Sequence, residues 1–428
     1  MTDAESNKYD VCIIGAGLAG LAATLFAANR GLSSVEVGHT GELNFATGFL
    51  DLLGVHPVSE KHVLNDPWSG IDALVRDIPE HPYARLPKED IQAAFEELLS
   101  FLKEFGLPYH RRLNNNIAVL TSMGTTKPTY CVPHTMWHGV EALEKTPACL
   151  LVDIRGLKGF SARQIAAALQ AEWPDLKTAR ISFPGLDHLN EVYTEHMAGA
   201  LILPENRQAF AQVVKPHIKK AQIVALPDIL GLYRTQEVVS DLEKLIGVPM
   251  FEIPTIPPSI SGLRLKEAFE RGLRTKGVNY FSQKRVLEVR HNIDEYFELD
   301  IGRETTEHTV QSKGIILASG RFIGGGLHAD RKCIKETILD LPVTQPGNRS
   351  EWHRRDFLDS SGHAVNKAGL EIDDSFRPLN NTHQPAFRTL FAAGSILAHN
   401  DWKRMKCGAG VAIASAFGAV KSFMRISN

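Results

Sequence analysis

The chain has 428 residues, of which 43% are apolar and 22% charged, and it carries a formal net charge of −2 at pH 7. This balance is typical of a globular protein with two or three domains and excludes extensive disorder. The nearly neutral charge provides no general attraction to nucleic acid or anionic lipid. The five cysteines lie far apart, so we expect reduced thiols and no metal or iron–sulfur ligand set in this chain.

The first predicted element is a strand over residues 9–14, which leads through three glycines into an apolar helix ending near Arg30. Gly15, Gly17 and Gly20 are spaced as G-x-G-x-x-G, and their place between a strand and a helix is typical of a dinucleotide-binding turn. The first glycine permits a tight turn, the second lets the backbone approach a pyrophosphate, and the third lets the helix pack closely on the strand. The spacing therefore predicts a cofactor site.

A membrane span and a secretory signal are the alternative interpretations of the same run, because Val11–Ala28 is uncharged and close to spanning length. A membrane span has more Lys and Arg on one side than on the other, and this run shows no such asymmetry. The acidic residues Asp3, Glu5 and Asp10 lie where a signal peptide is basic. We therefore expect a cytoplasmic protein without a direct membrane span.

The second predicted strand, within SSVEVGHT, lacks the acid that usually accepts hydrogen bonds from an adenosine ribose. Gly38 stands where that acid is expected. Glu36 lies two residues earlier, on the same face of the strand but one pleat too soon. The usual ribose anchor is therefore missing.

The middle of the chain alternates predicted helices and strands. Residues 89–106 repeat apolar side chains every three or four positions, as a helix with one buried face does. Residues 148–156 indicate a buried strand, and Ser161 is predicted to cap the helix that follows. Residues 255–266, TIPPSISGLRLK, lead through a proline-rich turn into a helix capped near Ser261. The segments RVLEVRH, EYFELDIG and HTVQSKGIILASG then alternate apolar and polar residues as a β-meander does.

The C-terminal region resembles the unit with which two-nucleotide flavoproteins close their flavin site. RTLFAAGSILAHN and CGAGVAIASAFGAVKSF predict a strand, a glycine turn at Gly394 and a glycine-opened helix. Residues 314–326, GIILASGRFIGGG, predict a strand and glycine turn that return the chain to the same domain. In this order, the three glycine-rich elements favour a flavoprotein over an enzyme that uses NAD alone.

The type of flavin is predicted from the missing acids. Ser395 follows Gly394 where an Asp usually binds ribityl or pyrophosphate oxygens. Because small residues replace both customary acids, we predict FMN, with FAD as the alternative, bound without a covalent link.

These elements together predict an α/β protein with a discontinuous Rossmann-like FAD/NAD(P)-binding fold of the two-nucleotide flavoprotein type and an inserted α/β middle domain. The N-terminal part of the flavin-binding domain is expected over residues 1–55 and the inserted domain over residues 56–250. The remainder of the flavin-binding domain, with the meander and the closing helix, is expected over residues 251–428.

Several segments resemble the B subunit of anaerobic glycerol-3-phosphate dehydrogenase: LNFATGFLDLLG, TIPPSISGLRLK, ILASGRFIGGGLHADR, LFAAGSILAHN and CGAGVAIASA. The resemblance spans nearly the whole chain and includes the missing acid after the second strand. It implies an FMN-containing flavoprotein subunit that takes part in oxidising sn-glycerol 3-phosphate to dihydroxyacetone phosphate and passes electrons to the quinone pool. The segment HNDWKRMK, which contains the basic loop Lys403 to Lys406, departs from the family pattern.

The same resemblance implies two partners, an FAD-bearing catalytic A subunit and an iron–sulfur membrane-anchor C subunit. The chain would then be peripheral on the inner face of the cell membrane through these subunits. Two other functions stay open. The chain could be a non-catalytic flavin electron-transfer subunit, or a stand-alone flavin-dependent reductase of another small acid, because fold alone does not exclude either.

The predicted cofactor-binding residues are the glycines and small residues of these turns: Gly15, Gly17, Gly20, Thr47, Gly48, Gly394, Ser395, Gly408 and Gly410. The pair Thr47 and Gly48 follows the second strand, where chains of this architecture run past the isoalloxazine. Thr47 is a candidate hydrogen-bond partner of the flavin, and an ordinary Ser/Thr turn is the alternative.

Three further residues are candidates for binding or chemistry on the substrate. Arg264 and Arg377 lie in family-like segments and are candidates for binding the substrate anion, with structural ion pairing as the alternative. His399 lies five residues after Gly394 and is the candidate base that takes the hydroxyl proton. A solvated loop histidine is the alternative for that residue.

Overall fold

The computed structural model describes residues 8–38, 41–292 and 296–427, with only the backbone of residues 41 and 42. The chain forms two compact units. The discontinuous unit consists of Met1–Glu42, Asp51–Phe101 and Phe269–Asn428, and the inserted unit consists of Leu43–Leu50 and Leu102–Ala268. The fold therefore has the predicted discontinuous α/β organisation.

The described strands are, in chain order, β1 Lys8–Ile14, β2 Ser34–Gly38, β3 Tyr109–Arg111, β4 Ile117–Leu120, β5 Thr126–Thr129, β6 Cys131–Pro133, β7 Cys149–Ile154, β8 Leu176–Ile181, β9 Ile223–Pro227, β10 Met250–Ile253, β11 Asn279–Ser282, β12 Arg285–His291, β13 Phe297–Gly302, β14 Thr306–Leu317, β15 Leu327–Ala329, β16 Ile334–Glu336 and β17 Leu390–Ala392.

The described α-helices are α1 Leu18–Asn29, α2 Pro67–Asp77, α3 Lys88–Glu104, α4 His134–Lys145, α5 Ala162–Ala168, α6 Thr194–Ala200, α7 Pro204–Ile218, α8 Thr235–Ile246, α9 Ile260–Thr275, α10 Trp402–Met405 and α11 Gly408–Ser427. The predicted helix over residues 89–106 corresponds to α3. Ser161 caps α5 as predicted, since its Oγ accepts a hydrogen bond from the backbone of Gln164 at 3.3 Å.

The predicted domain boundaries differ from the observed ones at both ends. Residues 51–101 belong to the discontinuous unit, because α3 packs there: Arg30 forms an ion pair with Glu97 at 3.0 Å, and the ring of Phe101 lies 5.4 Å from that of Phe269. Residues 251–268 belong to the inserted unit, in which β10 pairs with β9. The amphipathic pattern of α3 predicts a buried face but not the surface that this face covers.

The discontinuous unit is built on a sheet with the strand order β11-β2-β1-β14-β13-β12, and β17 pairs with the end of β14. Strands β11, β2, β1, β14 and β17 are parallel, whereas β12, β13 and β14 form the predicted antiparallel meander. Val11 in β1 aligns with Gly314 in β14. The carboxyl ends of these parallel strands therefore meet at one edge, where ligands bind in α/β proteins.

Helices α1 and α11 pack together in the discontinuous unit. The rings of Phe26 and Phe417 meet edge to face at 5.3 Å, and Arg30 lies 4.9 Å from the ring centre of Phe417. By length and composition, α11 is the one helix of the described chain that could cross a membrane, and most of it is buried inside the structure. The same apolar character serves a core helix.

The inserted unit contains a second parallel sheet, with the strand order β10-β9-β7-β8. Strands β7, β9 and β10 are buried along their length, whereas the edge strand β8 is buried only at its two ends. One side of the sheet is covered by residues of α6, α7 and α8. Helix α9 begins at Ile260, so its cap lies two residues before the predicted one. Ser259 accepts a hydrogen bond from the backbone of Gly262 at 3.1 Å, whereas the Ser261 hydroxyl donates to Asp228 at 2.9 Å.

Candidate functional site

The predicted dinucleotide turn lies at the carboxyl end of β1, and two of its glycines are required by space. Gly15 has a φ of +124°, and a Cβ built there would lie 2.2 Å from the carbonyl oxygen of Ala318. A Cβ on Gly20 would lie 1.7 Å from the carbonyl oxygen of Gly15. No larger residue fits at either position without moving the backbone, so the close packing of α1 on β1 depends on both glycines.

Helix α1 begins beside this turn with an open N-terminus. Gly17 is its N-cap, and no side chain in the described chain forms a capping hydrogen bond to it. The first-turn N–H groups of a helix have no partner within the helix itself. This end of α1 can therefore bind an anionic group such as a phosphate.

The second strand explains why the usual ribose acid is missing. A Cβ on Gly38 would lie 2.7 Å from the backbone nitrogen of Ala16, so β2 can approach the glycine turn only with glycine at this position. Glu36 is buried and accepts a hydrogen bond from the Thr24 hydroxyl at 3.1 Å. Burial raises the pKa of Glu36 to about 8. The carboxyl of Glu36 therefore lies inside the core, not on a ribose.

The closing turn after β17 lies close to the first turn. Gly394 has a φ of +81°, and a Cβ built there would lie 2.5 Å from the Cβ of Ala19 in α1. Its backbone N–H donates to the hydroxyl of Ser415 in α11 at 2.8 Å. Ser395 is half-buried in the following one-turn helix. Gly394 thus joins β17, α1 and α11 at the same edge of the sheet.

The two predicted glycines of α11 pack against protein. A Cβ on Gly410 would lie 2.1 Å from the Tyr83 hydroxyl, which donates to the carbonyl of Leu52 at 2.6 Å. A Cβ on Gly408 would lie 3.1 Å from the Trp402 ring. The structure therefore explains both glycines by packing, and their contact with a cofactor stays a prediction.

Thr47 and Gly48 belong to the inserted unit. Gly48 is buried with a φ of +81°, and a Cβ built there would lie 2.6 Å from the Cβ of Ser261. Thr47 is exposed in the loop before it. Close packing explains Gly48, and the predicted hydrogen bond of Thr47 to a flavin stays untested.

His399 lies in the loop after the closing turn and has an acidic neighbour. Its Nε2 lies 3.1 Å from a carboxylate oxygen of Glu371, and its backbone has a φ of +62°, which is uncommon for a residue other than glycine. His399, Glu371, Leu397 and Ala398 are among the residues that line a cavity of about 80 Å³. A histidine oriented by a carboxylate is a common arrangement for a base.

Arg377, the second candidate for binding a substrate anion, pairs with a nearby acid, and its predicted role stays untested. Its Nε donates to Asp373 at 2.8 Å, and one Nη lies 2.7 Å from the same carboxylate oxygen. Asp373 also accepts from the backbone N–H of Arg377 at 2.9 Å. Arg377 is thus half of a local ion pair that stabilises a turn.

Arg264 also forms ion pairs instead of facing an open site. Its side chain is buried in the inserted unit, where its two Nη groups donate to Glu252 at 2.7 and 2.9 Å. One Nη also donates to Asp228 at 3.2 Å, and the Nε donates to the carbonyl of Gly231 at 2.8 Å. Every nitrogen of this guanidinium is occupied. These contacts fit structural ion pairing, and the binding of a substrate anion by Arg264 stays a prediction.

The two acids beside Arg264 have pKa values shifted in opposite directions. Burial acts to raise the pKa of Glu252, but the adjacent Arg264 outweighs it and the pKa is lowered. Burial and the nearby Glu252 raise the pKa of Asp228 to about 7, although Arg264 and Ser261 oppose this. The charges of Arg264, Glu252 and Asp228 therefore interact with one another and not with an outside group.

Sequence reasoning missed three polar residues at the sheet edge of the discontinuous unit: Ser319, Arg321 and Asn400. Each carries a buried polar side-chain atom that has no hydrogen-bond partner among the described residues. The signal in the sequence was a single charged residue within a glycine-rich turn, SGRFIGGG, directly after a buried strand. Unsatisfied buried polar atoms are rare in folded proteins, so these three are candidates for contact with another group.

The glycine turn, the open end of α1 and the closing turn together define a dinucleotide-binding unit of the kind found in flavoproteins. A cofactor fits this edge, because the glycines leave the backbone accessible where side chains would block the cofactor's approach. The family model described as FAD binding domain matches residues 10–411, and the chain belongs to this family. It is a flavin-dependent oxidoreductase by class.

The match supports a flavin and specifically FAD, so FMN as the first choice is not supported. The prediction of FMN relied on missing acids. Close packing of Gly38 against Ala16 accounts for one of those absences, which therefore says nothing about which flavin binds.

Two curated proteins that are similar to this chain over most of its length share one name. The B subunit of anaerobic glycerol-3-phosphate dehydrogenase from Aliivibrio fischeri is 28% identical, covering 97% of this chain and 95% of that protein. The protein of the same name from Yersinia pestis is 29% identical, covering 96% of each chain.

Among solved structures, 3-ketosteroid delta1-dehydrogenase from Sterolibacterium denitrificans is similar at 12% identity with a TM-score of 0.46. The match covers 98% of this chain and 100% of that chain.

Proposed function

We propose that this chain is the flavoprotein subunit of an anaerobic glycerol-3-phosphate dehydrogenase, which takes part in oxidising sn-glycerol 3-phosphate to dihydroxyacetone phosphate and passes electrons to the quinone pool. The observation that carries the proposal is the similarity to a B subunit of that enzyme over 97% of this chain and 95% of the relative. Such coverage leaves no large part of either protein unmatched. The match to the FAD binding domain over residues 10–411 indicates a flavin, and a flavin can accept the hydride that this reaction releases.

The chain's own residues have distinct roles in this proposal. The bound flavin supplies a two-electron acceptor for the hydride that leaves the alcohol carbon. The N-terminus of α1 at Gly17 and the turn at Gly15 would hold the cofactor's phosphates. His399 donates its Nε2 proton to Glu371, which leaves the Nδ1 lone pair to take the hydroxyl proton. Hydride and proton together account for the conversion of the alcohol to a ketone.

A second candidate function is that of an electron-transfer subunit whose flavin relays electrons without binding substrate. The observation that favours it is the ion pairing of both arginines that were predicted to bind the substrate phosphate. In this case an FAD-bearing A subunit oxidises the substrate and an iron–sulfur C subunit carries electrons onward. The absence of a C-x-x-C pair in the sequence supports placing any iron–sulfur centre on such a partner.

The location follows from the partners in this proposal. A net charge of −2 provides little attraction to anionic lipid, so association with the inner face of the cell membrane would run through protein contacts with the A and C subunits.

The first experiment adds glycerol 3-phosphate without oxygen to the purified chain and follows the flavin absorption. Bleaching by substrate alone supports a dehydrogenase role. Bleaching only after the partner subunits are added supports the electron-transfer role. No bleaching in either case contradicts both and favours a reductase of another small acid.

The flavin itself is identified by acid precipitation of the same preparation. We expect all the flavin in the supernatant, because no covalent link is proposed, and chromatography there to give FAD. Colour in the pellet would contradict non-covalent binding, and FMN in the supernatant would contradict the FAD assignment.

Coexpression tests the partners. With the A and C subunits present we expect the protein in the membrane fraction, and without them in the soluble fraction. Full glycerol-3-phosphate:quinone activity from this chain alone would refute the multi-subunit proposal.

A further inference from the structure

A buried cation lies at the carboxyl edge of the sheet in the discontinuous unit. Arg321 follows β14 by four residues and is 8% exposed. One Nη donates to the carbonyl oxygens of Leu397 at 2.8 Å and Asn400 at 3.0 Å, and the other donates to the carbonyl of Asn366. Arg321 therefore connects the loops that follow β14 and β17.

This cation has no paired carboxylate in the described part of the chain. Its Nε has no hydrogen-bond partner there, and the contacts of its Nη groups are with backbone carbonyls. Burial lowers the pKa of Arg321 to about 10, opposed by the charge of Asp401, so the group stays positive at neutral pH. Asp401 itself bonds to Arg404 and Asn366. A buried charge without a partner is unfavourable unless another group completes it.

The position of Arg321 indicates which group that is. The carbonyl of Ala318 lies against Gly15, and Gly394 lies against Ala19. The loops after β14 and β17 therefore leave the sheet at the same edge as the glycine turn. Ser319 and Asn400, on the same two loops, each bury an unpartnered oxygen. These loops therefore flank the place where a nucleotide cofactor binds in such a sheet.

The charge that develops on the cofactor is negative. A flavin that takes up two electrons and one proton carries one negative charge, which resides on its pyrimidine ring. A fixed cation in a site of low dielectric constant favours this reduced form over the neutral oxidised form.

We propose that Arg321 stabilises the reduced flavin electrostatically and so raises the flavin's reduction potential in this chain. The proposal rests on the flavin cofactor of the proposed function. It assigns Arg321 to the pyrimidine end of the cofactor and not to its pyrophosphate, whose charge does not change on reduction.

The test compares Arg321→Gln, Arg321→Lys and wild type as full-length flavin-loaded proteins. Glutamine keeps an N–H donor for the loop carbonyls but has no charge, whereas lysine keeps the charge. The reduction potential is measured by equilibration with a reference dye, and the Kd of the oxidised flavin by titration. Lys421→Met is the control, because it removes a cation of the same unit that pairs with Asp90 at 2.7 Å.

We expect Arg321→Gln to lower the affinity for reduced flavin relative to oxidised flavin by about tenfold, which is about 30 mV for a two-electron couple. Arg321→Lys and Lys421→Met should stay within about threefold of wild type. Sulfite, whose adduct places negative charge on the same ring, should bind more weakly to Arg321→Gln by a similar factor.

Three results would overturn the proposal. An unchanged potential with weaker binding of both redox forms would assign Arg321 to the pyrophosphate. Equal shifts in Arg321→Gln and Arg321→Lys would assign it a purely structural role. No change in either variant would leave Arg321 without a role toward the flavin. A wild-type chain that binds no flavin would instead contradict the proposed function.

Discussion

The two units of this protein each contain a set of parallel strands, and the carboxyl edges of the two sets differ in what occupies them. In the discontinuous unit the edge is formed by Gly15, Gly20 and Gly394, which leave backbone where side chains would otherwise stand. In the inserted unit the same edge is filled by Asp228, which follows β9 and pairs with Arg264. An edge that is open to a ligand and an edge that satisfies its own charges thus occur in one chain.

Two buried glutamates show the same contrast. Glu36 in the discontinuous unit has a hydrogen bond from Thr24 but no paired cation among the described residues, and burial raises its pKa to about 8. Glu252 in the inserted unit is equally buried, yet Arg264 lowers its pKa. Burial alone does not decide the charge of an acid, because the nearest partner does.

The largest effect is expected at the open edge, from Gly17→Val. The backbone of Gly17, with φ −82° and ψ −177°, is accessible to valine, so stability should fall by only about 1 kcal/mol. The β-branched side chain would nevertheless stand where the N-terminus of α1 meets a phosphate, and flavin binding should be lost. Flavin content after gel filtration measures this, with Gly199→Ala, where nothing lies within 4 Å, as the control. Wild-type flavin content in Gly17→Val would contradict the site.

At the filled edge, Arg264→Leu should destabilise the inserted unit by about 3–5 kcal/mol, because it leaves two buried carboxylates without their cation. Arg377→Leu is the matched control, since it breaks a partly exposed local pair and should cost about 1 kcal/mol or less. Urea unfolding measures both. Similar losses in the two variants would show that the buried cluster contributes no more than a surface pair.

The raised pKa of Glu36 predicts that the stability of the fold depends on pH. Because the folded-state pKa of Glu36 is raised to about 8, its carboxyl stabilises the fold at low pH, and this contribution is lost as the pH rises toward 8. Between pH 6 and 8 the loss should amount to about 2 kcal/mol. Glu36→Gln should remove it while keeping an acceptor for Thr24. Parallel urea unfolding curves for both proteins at the two pH values test this, and an equal pH dependence would contradict it.

The smallest effect is expected from Thr47→Val in the inserted unit. Thr47 is exposed, so the free energy of unfolding should change by less than about 0.5 kcal/mol. The flavin absorption spectrum decides its predicted role. A shift in the visible bands would support a hydrogen bond to the flavin, and an unchanged spectrum would leave only a loop residue.

The sequence allowed prediction of features that depend on neighbouring residues. Gly15 and Gly20 could be predicted because a tight turn and a close helix contact each require glycine at a fixed spacing. The cap at Ser161 and the β-meander could be predicted for the same reason, since both are local patterns. The flavin class and the discontinuous α/β fold followed from the order of these elements.

Features that depend on distant partners could not be predicted. Residues 56–101 were assigned to the inserted domain because the apolar face of α3 does not reveal what covers it. The ion pairs of Arg264 could not be predicted because its partners, Asp228 and Glu252, are brought to it only by the fold. Arg321 was missed because its burial depends on loops that lie far along the chain.

The connectivity of the chain also determines when each unit can form during synthesis. The strands of the inserted sheet all lie between residues 149 and 253, so they leave the ribosome together. In contrast, Val11 cannot pair with Gly314, nor Phe26 pack on Phe417, until those later residues have been synthesised. Since domains fold as they emerge, the inserted unit can fold first, while β1 and α1 expose an apolar surface for most of translation. We therefore expect nascent chains of this protein to bind chaperones that protect early apolar segments.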